Sequence, residues 1–152
     1  WSLAQALVRI GELEEAIDLC KECLKLCASD PQKSKPWLPE VLFRLAATHF
    51  RQAEKQNCIA RHNSESCILP LSPKAVHVDK EGAAAAVEVL ERLLAMPDHD
   101  LQTDAKWLLN IAHMAIGDWP EGVPAAHRIE AKVFASEAEL PRFREQIGRA
   151  HV

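Results

Sequence analysis

Cysteine and histidine side chains concentrate in one stretch of the chain, residues 57–79. Cys58 and Cys67 enclose eight residues there, and the same stretch carries His62 and His77. Thiolates and imidazoles are the ligands that tetrahedral zinc takes, but these spacings lack the paired short knuckles of known zinc modules. A disulfide between Cys58 and Cys67 is the leading interpretation, provided that the compartment is oxidising. For His62 and His77 we favour hydrogen bonds that pin the loop backbone over metal ligation.

A second group of cysteines, Cys20, Cys23 and Cys27, has a different meaning. These residues follow the helical spacing of their apolar neighbours Ala16, Ile17 and Leu24, so they lie on or beside one buried stripe. Because Cys20 and Cys23 fall in the middle of a predicted helix that no strand precedes, we interpret them as small apolar side chains rather than as a redox pair.

Several function classes lack the residues that they need. The chain has 152 residues and a formal net charge of −4, with no basic stripe for nucleic-acid phosphates. The longest apolar run, at 83–87, is far below the roughly 20 residues of a membrane-spanning helix. Nucleophile-elbow, zinc-protease, P-loop and dinucleotide motifs are missing. We therefore predict a protein that is not an enzyme, needs no cofactor and does not span a membrane.

The elements that position these residues are predicted to be helices. Apolar residues recur at helical spacing over 3–10, 13–27, 38–56, 81–96 and 101–116, and sustained alternation typical of strands is absent. Residues 28–36 are predicted to be a loop because Pro31 and Pro36 resist helix. Residues 57–79 are predicted to be an irregular insert, and a capping box predicts a short last helix at about 137–146. The expected fold class is all-α.

One turn resembles a known repeat. Residues 7–17, LVRIGELEEAI, are similar to the turn between the two helices of a tetratricopeptide repeat, and related turns occur at 50–55, FRQAEK, and at 114–119, MAIGDW. The resemblance implies helix pairs that stack into a right-handed solenoid with one concave wall. The first pair is 3–27. The second consists of 38–56 and 81–96, separated by the insert, and 101–116 opens a third.

A narrower resemblance covers about 53–143. Its motifs are EKQNCI at 54–59, the pairs at 62–63 and 76–77, SCILP at 66–70, WLLNIAHM at 107–114 and WPEGVP at 119–124. These are similar to the helical-repeat region that precedes the propeller in bacterial FG-GAP/ASPIC-UnbV proteins, relatives of cartilage acidic protein. The resemblance implies export to the periplasm or the medium, and a propeller downstream of this fragment.

The tetratricopeptide resemblance also implies where a ligand would bind. In such repeats the first helix of each pair lines the concave groove, so Arg44, Arg51, Lys106 and Asn110 are candidates to grip an extended peptide or a carboxylate. Lys106 and Asn110 are four residues apart and share one helical face.

The sequence therefore predicts three parts. Residues 1–118 form a helical-repeat domain with the insert 57–79, residues 119–146 form an irregular tail or linker toward a downstream domain, and 147–152 match a reading frame of a sequencing adapter and are expected to be non-native. The expected function is a protein-interaction or assembly module of a larger exported protein, which binds a peptide or packs on the propeller. The alternative is a zinc-binding or hydrolytic protein that uses the Cys/His loop 58–77.

Overall fold

The chain is all-helical in the part that its computed structural model describes, residues 2–59, 61–66 and 68–134. No β-strand occurs among those residues, which confirms the predicted fold class. The α-helices are α1 (Ser2–Ile10), α2 (Leu13–Ser29), α3 (Pro31–Ser34), α4 (Leu38–Glu54), α5 (Glu81–Leu94), α6 (Gln102–Ile116) and α7 (Ala131–Phe134).

The long helices pack in the order in which the chain makes them. Helix α1 packs on α2, α2 on α4, α4 on α5 and α5 on α6, and the α4–α5 interface is the most extensive. Leu42 and Ala46 of α4 and Leu90 and Leu93 of α5 are completely buried in the main core. Because each helix carries an apolar stripe that its neighbours cover, burial of these stripes is the main source of stability.

The tight connection between α1 and α2 depends on one glycine. Gly11 has a φ of +86°, a left-handed backbone conformation that residues other than glycine rarely adopt. The Glu12 N–H donates to the Leu7 carbonyl at 3.0 Å and closes the turn. The chain therefore reverses within two residues, and α1 lies against α2.

The predicted loop at 28–36 contains a short helix, α3, so that part of the prediction was wrong. Pro31 occupies the first turn of α3. A backbone N–H at this position would have no acceptor within the helix, so proline costs no hydrogen bond there. The Asp30 carboxylate accepts a hydrogen bond from the Lys33 N–H at 3.3 Å and caps the helix. A proline directly after an aspartate thus starts this helix instead of preventing it.

The insert begins later than predicted. Helix α4 continues into a π-helical turn, Lys55–Ile59, so Asn57 and Cys58 belong to the helical end and not to the loop. The described residues of 61–80 contain turns and bends but neither helix nor strand. Asn57 is buried, with 6% of its surface exposed, at the point where the helix gives way to the insert.

The tail after α6 packs back on the helices. Gly117, with a φ of +85°, ends α6, and residues 118–130 then follow an irregular path in which Val123 is buried. Phe134 of α7 lies 4.6 Å from the Trp107 ring and 5.8 Å from the Trp119 ring, measured between centroids. The predicted helix at 137–146 and the predicted non-native end at 147–152 lie outside the described residues.

None of the helices in the described ranges is both long enough and apolar enough to cross a lipid bilayer.

Helices α4 and α5 approach each other closely at Gly82, and this contact is testable. A Cβ at residue 82 would lie 2.9 Å from the His49 carbonyl oxygen and 3.1 Å from the Ala53 Cβ. We expect Gly82→Ala to lower the free energy of unfolding by about 1–2 kcal/mol through this overlap, although alanine in an open helix position would add about 1 kcal/mol. Urea unfolding measures the difference.

The control for this substitution is Glu91→Ala on the exposed face of the same helix, which should change stability by less than about 0.5 kcal/mol. A Gly82→Ala protein that is more stable than the wild type would contradict the close approach.

Candidate functional site

A groove of about 770 Å³ lies among α1, α4, α6 and the insert. Its floor is apolar because α4 carries a second apolar stripe, Phe43, Ala47 and Phe50, beside the stripe that faces α5. Helix α6 adds Leu108 and Ile111 to the same floor. A cavity of this size is within the range of about 300–1,000 Å³ that ligand sites occupy.

Charged side chains line the walls of the groove beside this apolar floor. The Arg44 Nε lies 2.8 Å from a Glu40 carboxylate oxygen, one turn earlier on α4. With the Gln5 amide oriented so that its oxygen faces Arg44, the guanidinium also donates to that oxygen at 3.0 and 3.2 Å. These contacts link α1 to α4 and fix the Arg44 side chain within the groove wall.

A second pair of charged residues lies two turns further along α4. Arg51 is exposed and lines the groove together with the half-buried Glu54. Burial raises the pKa of the Glu54 carboxyl, and the nearby Arg51 guanidinium partly opposes that effect. Arg9 of α1 contributes a third guanidinium to the lining, so cationic groups outnumber the two carboxylates of Glu40 and Glu54.

The insert supplies part of the groove wall. Leu69 and Leu71 line the groove, as do Cys58 and His77. The sequence indicated neither leucine as a site residue. Ile68, Leu69 and Leu71 are neighbouring apolar residues, and no spacing in the sequence distinguishes the two that line the groove from Ile68, which is 59% exposed.

Asn57 holds the insert against the helices. Its side-chain amide donates to the Ala53 carbonyl at 2.9 Å and to the Asp79 carbonyl at 2.8 Å. Its side-chain oxygen accepts from the backbone N–H groups of Val78 at 2.9 Å and Asp79 at 3.0 Å. Every donor hydrogen and lone pair of this amide is thus used, and the insert returns to the end of α4 before α5 begins.

His77, near the end of the insert, is buried against the helices. Its backbone N–H donates to the Ala115 carbonyl of α6 at 2.8 Å, its ring stacks on Phe50 at 6.1 Å between centroids, and its Nε2 lies 3.5 Å from the Cys58 Sγ. The Nδ1 is buried and has no hydrogen-bond partner among the residues that the structure describes. Burial lowers the pKa of the imidazole, and Asp79 partly opposes this shift.

The structure separates the four predicted groove residues. Arg44 and Arg51 line the groove, whereas Lys106 is half-buried on α6 and is not part of the lining. Asn110 is completely buried, so its predicted role as a groove residue was wrong.

The Asn110 amide binds the chain's own tail instead of a ligand. It donates to the carbonyls of Lys106 at 2.8 Å and His127 at 2.9 Å. Its oxygen accepts from the Trp119 Nε1–H and from the Ile129 N–H, both at 3.0 Å. All four hydrogen-bonding positions of the amide are therefore occupied.

The predicted Cys/His loop is only partly described. Cys67 lies outside the described residues, so its pairing with Cys58 stays a prediction. His62 is exposed and does not line the groove, whereas His77 is buried in its wall. Among the residues that the structure describes, no three histidine, cysteine or carboxylate side chains form a cluster that could hold a metal ion.

The cysteines of α2 lie where the apolar stripe predicts. Cys20 is almost completely buried with Ala4, Ile17 and Leu45, and Cys23 and Cys27 are half-buried on the same helix. Burial raises the pKa of the Cys20 thiol, and Cys23 adds to the shift. A thiol with a raised pKa is a poor nucleophile, which agrees with a packing role.

Comparison of the chain with protein-family models, with curated proteins and with solved structures finds no significant match.

The burial of His77 predicts a dependence of stability on pH. Because the folded protein binds a proton at His77 less readily than the unfolded chain does, the free energy of unfolding should fall as the pH drops below about 6.5. Urea unfolding at about pH 7.5 and about pH 5.5 measures the loss, and His77→Gln should reduce it. A remainder is expected from His49, whose pKa burial also lowers.

Two features complete the design of this pH comparison. The raised pKa of Glu54 favours the folded state at lower pH and so opposes the loss from His77, but Glu54 is present in both wild type and His77→Gln, and the difference between these two proteins therefore reports on His77. His62→Gln, at an exposed histidine, is the control and should keep the wild-type pH dependence. An equal loss in wild type and His77→Gln would show that His77 is not the group responsible.

The role assigned to Asn110 is also testable. Asn110→Ala leaves the Trp119 Nε1–H and the Ile129 N–H without their acceptor, so we expect it to cost about 2–4 kcal/mol of stability. Asn63→Ala, at an exposed asparagine that bonds only within the insert, should cost less than about 1 kcal/mol. Thermal unfolding compares the two variants, and equal costs would disprove the tail-anchoring role.

Proposed function

We propose that this protein is a protein-interaction module that binds an extended peptide segment in the groove among α1, α4 and α6. The observation that carries the proposal is the groove itself, an apolar floor with guanidinium groups of Arg9, Arg44 and Arg51 on its walls. Apolar contacts provide affinity for such a peptide, and charged groups at the walls orient it and select its sequence.

The excess of cationic groups indicates the chemistry of the ligand. Glu40 neutralises Arg44 within the groove, and Glu54 lies beside Arg51. The five charged side chains of the lining therefore have one positive charge in excess, which Arg9 provides. A peptide with apolar side chains and at least one carboxylate complements this wall. Guanidinium groups suit carboxylates because they can donate two parallel hydrogen bonds.

The identity of the lining helices supports a repeat architecture. The groove is formed by α1, α4 and α6, which are the first helices of the three predicted pairs, and the tetratricopeptide resemblance implies this arrangement. We therefore propose that α1–α2 and α4–α5 are stacked repeats, with the insert between the helices of the second, and that α6 opens a third whose second helix the tail replaces.

The resemblance to the FG-GAP/ASPIC-UnbV proteins extends the proposal beyond the groove. It implies that the module belongs to a larger exported protein, outside the cytoplasm, and that a downstream propeller is a partner on which its helices pack. The Cys58–Cys67 disulfide belongs to the same proposal because export provides the oxidising compartment that such a bond needs.

No observation on the described residues favours the zinc-binding or hydrolytic alternative. His62 and His77 differ in burial and do not line a common cavity. The Cys58 Sγ and the His77 Nε2 are 3.5 Å apart, but two potential ligands are fewer than the three or four protein ligands of zinc sites. We therefore keep peptide binding as the proposed function.

The groove proposal predicts different effects on peptide binding for substitutions at Arg51 and at Lys106. Arg51→Ala removes a lining guanidinium and should weaken binding of acidic peptides about tenfold, as loss of one charged hydrogen bond does. Lys106→Ala removes a cation that does not line the groove and should leave binding within about twofold. Fluorescence polarisation with labelled peptides selected from a synthetic eight-residue library measures both.

Circular dichroism verifies that both variants keep the helix content of the wild type. Loss of binding in Lys106→Ala with no effect in Arg51→Ala would place the ligand on another face of α6. Failure of every library peptide to bind the wild type would contradict the proposed function.

A further inference from the structure

The insert contributes its own apolar side chains to a groove that the helices otherwise form. Leu69 and Leu71 both line the groove and are half-buried there. We propose that the insert forms a selectivity pocket for one apolar side chain of the bound peptide, with Leu69 and Leu71 as the discriminating residues and Asn57 as their positioning residue. This inference rests on the proposed peptide-binding function.

The direction of the side chains supports such a pocket. Leu69 and Leu71 flank Pro70 at a bend of the chain, and both line the groove. Ile68 lies one position before Leu69, is 59% exposed and does not line the groove. The loop therefore directs Leu69 and Leu71 into the groove and Ile68 into solvent.

The surroundings of the two leucines make the pocket apolar. Leu71 packs against the main core, and Phe50 of the groove floor is buried. His77, which stacks on Phe50, adds an imidazole that burial keeps neutral, since burial lowers its pKa. An apolar side chain that enters this wall exchanges water for carbon contacts on several sides, which is the source of its binding energy.

The wall is held in place before any ligand arrives. Within the insert, the Glu65 carboxylate accepts hydrogen bonds from the Ser72 hydroxyl and from the Lys74 Nζ, the latter at 2.8 Å. At the end of the insert, the His77 N–H donates to the Ala115 carbonyl of α6 at 2.8 Å. A wall that is ordered in advance costs little entropy when the ligand binds, and it can discriminate between side chains of different size.

Asn57 acts on the pocket through the insert and not by contact with the ligand. Its side chain does not line the groove, but its four hydrogen bonds fix Val78 and Asp79 at the end of the insert and connect Asp79 to Ala53 of α4. Removing the amide should therefore change the shape of the wall without removing any group that touches the peptide.

The experiment compares side-chain preferences, using a positional-scanning library of synthetic eight-residue peptides as the probe. Leu71→Ala enlarges the pocket, so the preference at one peptide position should shift toward larger apolar side chains by about tenfold relative to wild type. The matched control is Ile68→Ala, which truncates the solvent-exposed residue directly before Leu69. This variant should keep the wild-type preferences at every peptide position.

Asn57→Ala tests the positioning role with the same library. We expect the preference at the position that Leu71→Ala changes to weaken about tenfold, while the other positions and the helix content are kept. If this variant does not fold, Asn57→Ser replaces it, since the hydroxyl keeps one donor and one acceptor and introduces no buried charge. The Ser variant should weaken the preference at the same peptide position.

The outcomes separate the inference from the function on which it rests. Unchanged preferences in Leu71→Ala, with binding intact, would overturn the selectivity pocket and leave peptide binding standing. A uniform loss at every peptide position in Asn57→Ala would show a general structural role and overturn the positioning role. Absence of binding to the wild type would overturn both proposals.

Discussion

The side-chain amide of Asn57 is the contact on which the placement of the insert, and with it the groove wall, depends. It stands where α4 ends, and its hydrogen bonds to Val78 and Asp79 bring the chain back to that point two residues before α5 begins. Helices α4 and α5 share the largest interface although residues 55–80 separate them in sequence. A buried amide with all four positions bonded is costly to disrupt because each lost partner leaves a polar group away from water.

A second buried asparagine, Asn110 of α6, repeats this solution for the tail. Asn110 binds the tail through the Trp119 indole and the backbone of residues 127 and 129, as Asn57 binds the insert. The two irregular segments bury few large apolar side chains, so polar contacts with fixed geometry hold them on the helices. One face of the helical core is therefore left uncovered, and the groove that Arg44 and Arg51 line lies on that face.

The sequence predicts the helices well because each long helix has an apolar stripe of helical period, and Gly11 and Gly117 indicate where two of them end. The tetratricopeptide resemblance implies that Arg44 and Arg51 line a groove, and both residues line the groove among α1, α4 and α6. The sequence cannot distinguish Asn110 from a surface residue, since an asparagine among apolar neighbours has the same spacing whether the tail covers it or not. The partners of Asn57 in the insert, Val78 and Asp79, are more than twenty residues away, and no periodic pattern indicates a contact between a helix end and a loop.

Native-state hydrogen exchange, followed residue by residue by NMR, tests the docking of the insert most directly. The amides of His77, Val78 and Asp79 donate to Ala115 or Asn57 although they lie in a segment without regular secondary structure. The structure predicts that these three amides exchange at rates comparable to those of α4 and α5, whereas Ser64 in the exposed part of the insert exchanges much faster. Equally fast exchange at all four amides would show that the insert is not fixed to the helices and would contradict the account given above.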